Sequence, residues 1–98
     1  MPKKKRFFVI MNWNTYIKSY QSYLKIERGL SKNTIENYSF DIERLCLFLS
    51  TNEIEVSPVQ IGEETVQQFI YDVSKQVNPP SQARIISGLK SFFSYLIF

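Results

Sequence analysis

Apolar residues at Trp13, Ile17, Tyr20 and Leu24 recur in steps of four, three and four, the spacing that places successive side chains on one face of an α-helix. With Tyr16 and Tyr23 beside this stripe, a first amphipathic helix is predicted over residues 13–27, closed by Arg28-Gly29. A second stripe, Ile35, Tyr38, Ile42, Leu45 and Leu49, predicts a helix from Ser31 to Ser50. Ser31 stands where an N-cap belongs, and Leu30 and Ile35 have the spacing of a hydrophobic staple. Residues 51–62, with Pro58 and the acids Glu53 and Glu55, read as a loop. Glu63 and Glu64 open a third helix, with Val66, Phe69, Ile70, Val73 and Val77 facing inward. Asn78-Pro79-Pro80 is a stop and restart, because proline disfavours helix in the residue before it and is tolerated in a first turn. A fourth helix then reaches the chain end with Ile85, Leu89, Phe92, Phe93 and Leu96 as its apolar side. No strand alternation and no repeat is present, so the expected fold is all-α, a compact bundle of four main helices over residues 12–98.

A length of 98 residues, 44% hydrophobic and 21% charged, suits one domain with one core. The net charge of +3 conceals strong segregation. Residues 1–34 hold eight Lys/Arg and one acid, residues 35–72 hold eight acids and one Arg, and residues 73–98 hold three bases and no acid. Clustered like charge is either a solvated surface or the mark of an oppositely charged partner. The opening PKKKRFFVIM is too short in its apolar part for a signal peptide or a membrane span, and residues 1–11 are expected to form a basic, flexible arm. PKKKR also fits a nuclear localisation pattern, which is common by chance. The single cysteine, Cys46, cannot form an internal disulfide and falls on the flank of the second stripe, which reads as a structural thiol in an intracellular, cytoplasmic protein. The sequence contains no histidine, which excludes Ser-His and Cys-His nucleophiles and Cys/His zinc fingers. No metal-ligand spacing or acid/base pair appears either, so no catalytic residue, metal, cofactor, membrane or small-molecule substrate is expected.

The polar faces carry the candidate chemistry. The first turn of the second helix, Lys32-Asn33-Thr34, holds no acid, although free N–H groups and the helix dipole make that end electropositive. Opposite its apolar stripe lie Asn33, Asn37, Phe40 and Arg44, with Glu36 and Glu43 on one flank and Asp41 on the other. On the fourth helix, Ser81, Arg84, Gly88 and Ser91 step along the side expected to face away from the core, with Ser87 and Lys90 toward one flank. Its start, Asn78 to Gln82, is also free of acids. Phosphate oxygens fit such surfaces, since backbone N–H groups and Ser, Thr, Asn, Lys and Arg side chains all donate to them. The structural alternatives are that Ser and Asn serve as caps only, and that Gly88 allows close packing on a neighbouring helix. The six Tyr and eight Phe residues lie mostly on or beside apolar stripes and read as core rather than a base-stacking platform.

The ERGLS turn at Glu27 to Ser31, the pattern Ser31, Thr34, Tyr38, Asp41, Ile42, and the ending ISGLKSFFSYL, in that order over residues 13–98, resemble the core-binding domain of tyrosine recombinases of the phage-integrase and Xer kind. The resemblance implies a SAM-like helical domain that grips one side of duplex DNA and works beside other recombinase protomers. In that family a separate C-terminal domain carries the nucleophilic tyrosine and its Arg and His helpers, so this chain is expected to be a non-enzymatic N-terminal piece, as its apolar end at Ile97-Phe98 also suggests. The resemblance assigns phosphate contacts to Ser31, Lys32, Thr34 and Arg84, and base-edge contacts to Asn33, Asn37, Ser81 and Gln82. The face pattern adds Arg44, Ser87, Lys90 and Ser91. Relatives of the Xer type often carry basic residues where Ser39 and Phe40 stand here, which points Phe40 toward protein contact. The alternative function is a helical protein–protein interaction module using Phe40, Leu47 and the acidic middle.

Overall fold

The computed structural model describes the backbone of residues 2–97 and the side chains of residues 12–97. Four helices follow one another: α1 (Pro2–Ile26), α2 (Lys32–Thr51), α3 (Glu63–Ser74) and α4 (Pro79–Ile97). No strand occurs among the described residues. Helical backbone begins at Pro2, ahead of the start at Trp13 that the apolar stripe predicts. A stripe reports only where a helix is buried, whereas Lys and Arg favour helix without any packing. The side chains of residues 1–11, where a basic arm is expected, lie outside the described residues.

The predicted stripes build the core. Trp13, Ile17, Tyr20 and Leu24 of α1, Ile42, Leu45 and Leu49 of α2, Phe69 and Val73 of α3, and Ile85, Leu89 and Phe92 of α4 are all buried. Burial of each large apolar side chain contributes about 1.5–3 kcal/mol, before the entropy of ordering the chain is set against it. Ile35, Tyr38, Val66, Ile70, Val77, Phe93 and Leu96 pack around this centre half-buried. The aromatic residues behave as core. Tyr20 meets Phe92 edge-on at 5.2 Å between ring centres, Tyr23 lies 4.8 Å from Tyr95, and Trp13 stacks near Phe92 at 6.1 Å. Burial also pushes the Tyr20 hydroxyl above its ordinary pKa.

The connections follow from local chemistry. α1 ends where Gly29 takes φ +61, and the Leu30 N–H then reaches back to the Leu24 carbonyl at 3.1 Å. A left-handed residue closed by such a bond terminates a helix and satisfies one of its last carbonyls. The 52–62 loop is held to α1 because Trp13 Nε1 donates to the Val56 carbonyl at 2.8 Å. α3 opens on Glu63 and Glu64 as expected. α1 packs on α2, and α4 packs on both α2 and α3. Cys46 is half-buried against the core, and burial with the nearby Glu43 pushes its thiol pKa up to about 12, consistent with an unreactive structural role.

Candidate nucleic-acid interface

Both helix starts carry the chemistry their sequences announce. Ser31 is extended, accepts from the Thr34 N–H at 3.2 Å and donates to Thr34 Oγ1 at 2.9 Å. Asn78 Oδ1 accepts from the Ser81 N–H at 3.0 Å in the first turn of α4. Neither first turn contains an acid. The neutral caps each satisfy one donor, and the remaining end N–H groups keep the positive end of the dipole uncompensated by any carboxylate. The two starts have different neighbours. The α2 start lies against the last turn of α1 through the Leu30–Leu24 bond, whereas the α4 start lies against α3, where Gln82 Nε2 donates to the Ile70 carbonyl at 3.0 Å.

Between them runs one strong link. Asp41 of α2 is buried at 2% exposure, and Arg84 of α4 grips its carboxylate with both terminal nitrogens, Nη2 to Oδ1 at 3.0 Å and Nη1 to Oδ2 at 3.1 Å. The Arg84 side chain as a whole remains about half exposed, with 56% of its surface accessible. Two parallel charge-assisted bonds fix orientation as well as distance. Burial nevertheless raises the Asp41 pKa above its ordinary value, with Arg84 opposing the shift. Gly88 supplies the space, because a β-carbon there would meet Asp41 Oδ2 at 2.3 Å. At a helical rise of 1.5 Å per residue, Ser31 stands about 15 Å, and Pro79 about 8 Å, along their helices from this link.

These contacts correct two sequence-based expectations. Gly88 and Ser91 do not face away from the interior. Gly88 is buried against α2, and Ser91 is half-buried and accepts a 2.7 Å hydrogen bond from the Tyr20 hydroxyl of α1. Asp41 is likewise an internal ion-pair partner rather than a surface flank. The reason is that α4 is covered on several sides, by α1, α2 and α3, so its small polar stripe is a packing seam as well as an edge.

The remaining candidates divide clearly. Ser31, Lys32, Asn33 and Asn37 are exposed along α2, Thr34 is half-buried at its start, and Arg44 is exposed but reaches Gln76 Oε1 at 3.3 Å in the turn that follows α3. On α4, Ser87 and Lys90 are exposed with Arg84, Ser81 is half-buried, and the Gln82 amide is engaged with α3. Phe40 is exposed at 62% on the outer face of α2, and with Leu47, Phe48, Phe69 and Val73 it lines an open groove of about 820 Å³ between α2 and α3. Ser39, beside it in sequence, is buried and hydrogen-bonded to the Ile35 carbonyl and to Gln21.

One group of exposed residues went unnoticed in the sequence. Lys18 and Lys25 of α1 share a groove of about 700 Å³ with Lys32, Leu30 and Ile35. Their separation by two helical turns marks a common face, but only the Gly29 turn brings Lys32 beside them. Among the described residues no cluster of His, Cys, Asp and Glu is arranged to hold a metal ion, and no helix is long and apolar enough to cross a membrane.

Comparison with known proteins agrees with this architecture. Residues 17–98 match the family described as phage integrase, N-terminal SAM-like domain. A tyrosine recombinase of Pseudothermotoga lettingae is 36% identical over 83 residues, covering 82% of this chain and 28% of that protein. Tyrosine recombinase XerD of Listeria innocua is 32% identical over 86% of this chain and 29% of its own length, and XerC of Lacticaseibacillus casei is 35% identical over 82% and 27%. The chain thus spans less than a third of the length of these relatives. No solved structure matches it significantly.

Proposed function

Because this chain belongs to the phage integrase N-terminal SAM-like family, we propose that it is the DNA-gripping domain of a site-specific tyrosine recombinase and holds duplex DNA through the outer surfaces of α2 and α4. The observation that carries this reading is the Asp41–Arg84 link, which joins the two helices whose exposed polar residues and acid-free starts suit phosphate. A fixed relation between two binding helices lowers the ordering cost of engaging one rigid duplex. Ser31, Lys32 and Thr34 at the α2 start, with Ser87 and Lys90 on α4, supply phosphate donors. Asn33 and Asn37 are the base-edge candidates, since an amide offers a paired donor and acceptor. Arg84 contributes positive charge from a half-exposed side chain while remaining tied to Asp41.

The chemical step of recombination is assigned to residues outside this domain, and the partners are duplex DNA and other recombinase protomers. Most of the affinity is phosphate electrostatics and falls steeply with salt. The test is titration of labelled duplex into the 98-residue chain at several salt concentrations. Weaker binding by Lys32→Glu and Lys90→Glu, with unchanged helicity, supports the assignment, whereas unaltered affinity in both defeats it.

A second reading has its own observation, the α2–α3 groove with exposed Phe40 and Leu47. Large exposed apolar side chains at a groove suit a protein contact. Absence of NMR shifts on Asn33, Asn37 and Lys90 on adding duplex would favour that reading.

A further inference from the structure

α2 has two flanks. Asp41 is directed to α4, while Lys32, Ile35 and Glu36 border α1, and Asn33, Asn37 and Phe40 lie between on the outer face. The α1 border is the groove that holds Lys18, Lys25 and Lys32, all exposed. Among the described residues none of these three lysines is within ion-pair distance of a carboxylate, and Glu36 is the one acid in the groove lining. Gln21 and Ser22 add polar groups to its wall. Lys25 gains from the last turn of α1, but three cations around one concavity repel one another and none is paired with a carboxylate among the described residues, so their placement suits an external anion. The groove also abuts the α2 start, where free N–H groups add to the same positive potential.

Building on the DNA reading above, we propose that Lys18 and Lys25 of α1 join Lys32 as a third phosphate-binding element, so that the sugar–phosphate backbone continues off the outer face of α2 into the α1–α2 groove. The ligand is a run of phosphodiesters rather than a single phosphate, because the groove is open and lysine is a mobile point charge without the planar fork that captures one oxyanion bidentately. The duplex surface in contact with the domain therefore spans α4, α2 and α1. The contacts to α1 carry no sequence information and set affinity and register alone.

The test measures binding of the 98-residue chain to a labelled duplex of arbitrary sequence, at several salt concentrations. The variants are Lys18→Ala/Lys25→Ala, Lys18→Arg/Lys25→Arg, Lys32→Ala and Lys90→Ala, each checked for unchanged helicity. Each lost phosphate contact reduces the slope of log affinity against log salt by about 0.9, so the alanine double variant is expected to lower it by about two and the arginine pair to retain it. An unchanged slope in the alanine pair, alongside a reduced slope in Lys32→Ala and Lys90→Ala, overturns the lysine groove and leaves the α2–α4 reading standing. Absence of salt-dependent binding by the unaltered chain overturns both.

Discussion

Gly88 of α4 faces Asp41 of α2 so closely that any side chain at position 88 would enter the space of the carboxylate, meeting Oδ2 at 2.3 Å and Cγ at 3.0 Å. The buried acid, the glycine that admits it and the arginine that neutralises it form one unit that sets the relation of two helices.

Gly88→Ala is therefore expected to destabilise the domain. Alanine favours helix over glycine by about 1 kcal/mol, but overpacking a filled site costs about 1–3 kcal/mol, and here the displaced group is a carboxylate held by two bonds. A chemical denaturation midpoint lower than that of the unaltered chain is the expected result. A midpoint at or above it would mean that Asp41 moves aside freely.

Arg84→Ala should cost about 1–3 kcal/mol, because it leaves a buried acceptor without its partner while water reaches the half-exposed site. Arg84→Glu should be worse, since it sets a second carboxylate against Asp41. Charge reversal at Arg84 thus does not separate DNA affinity from folding, whereas reversal at the exposed Lys32 and Lys90 does. Thermal melts of the Arg84 and Lys32 variants side by side check this contrast.

The pH dependence has a definite sign. Burial raises the Asp41 pKa in the folded state, so the folded protein holds that proton more tightly than the unfolded chain. The associated stability is fully present below the unfolded carboxylate pKa and is lost as pH rises through the folded one. Asp41→Asn removes this titration, and the difference in denaturation midpoint, unaltered chain minus variant, should fall with rising pH across that window. A difference that grows with pH would show that the pairing with Arg84 outweighs burial.

Ser31→Ala is expected to lower stability by about 1 kcal/mol through loss of the α2 cap. Trp13 is the single tryptophan and is buried at 1% exposure, so its fluorescence reports each of these unfolding transitions.

The four helical stripes were legible because burial repeats with the helical period: every core residue from Trp13 to Phe92 lies on a predicted apolar face or at its turns. The α2 cap was legible too, since Ser31 acts within three residues of its own position; Asn78, read only as part of a stop and restart, caps α4 in the same way. The outer face of α2 also held, with Asn33, Asn37, Phe40 and Arg44 all exposed. On α4 the same reasoning mistook a seam for a surface, because periodicity identifies the most apolar face of a helix and is silent when a second face packs through small or polar residues.

What the sequence determined by itself is therefore local: where helices start and stop, which side of each is apolar, and that the two helices entering the DNA reading begin without acids. The tertiary structure decided what meets across the chain. Asp41 and Arg84 are 43 residues apart, and Tyr20 and Ser91 are 71 apart. Whether a polar side chain is buried depends on a partner that no local period encodes, and the free energy of burying a carboxylate is tolerable only once that distant partner has arrived. The same holds for the lysine groove, in which a turn brings two helices together and concentrates charges that are merely scattered along the chain.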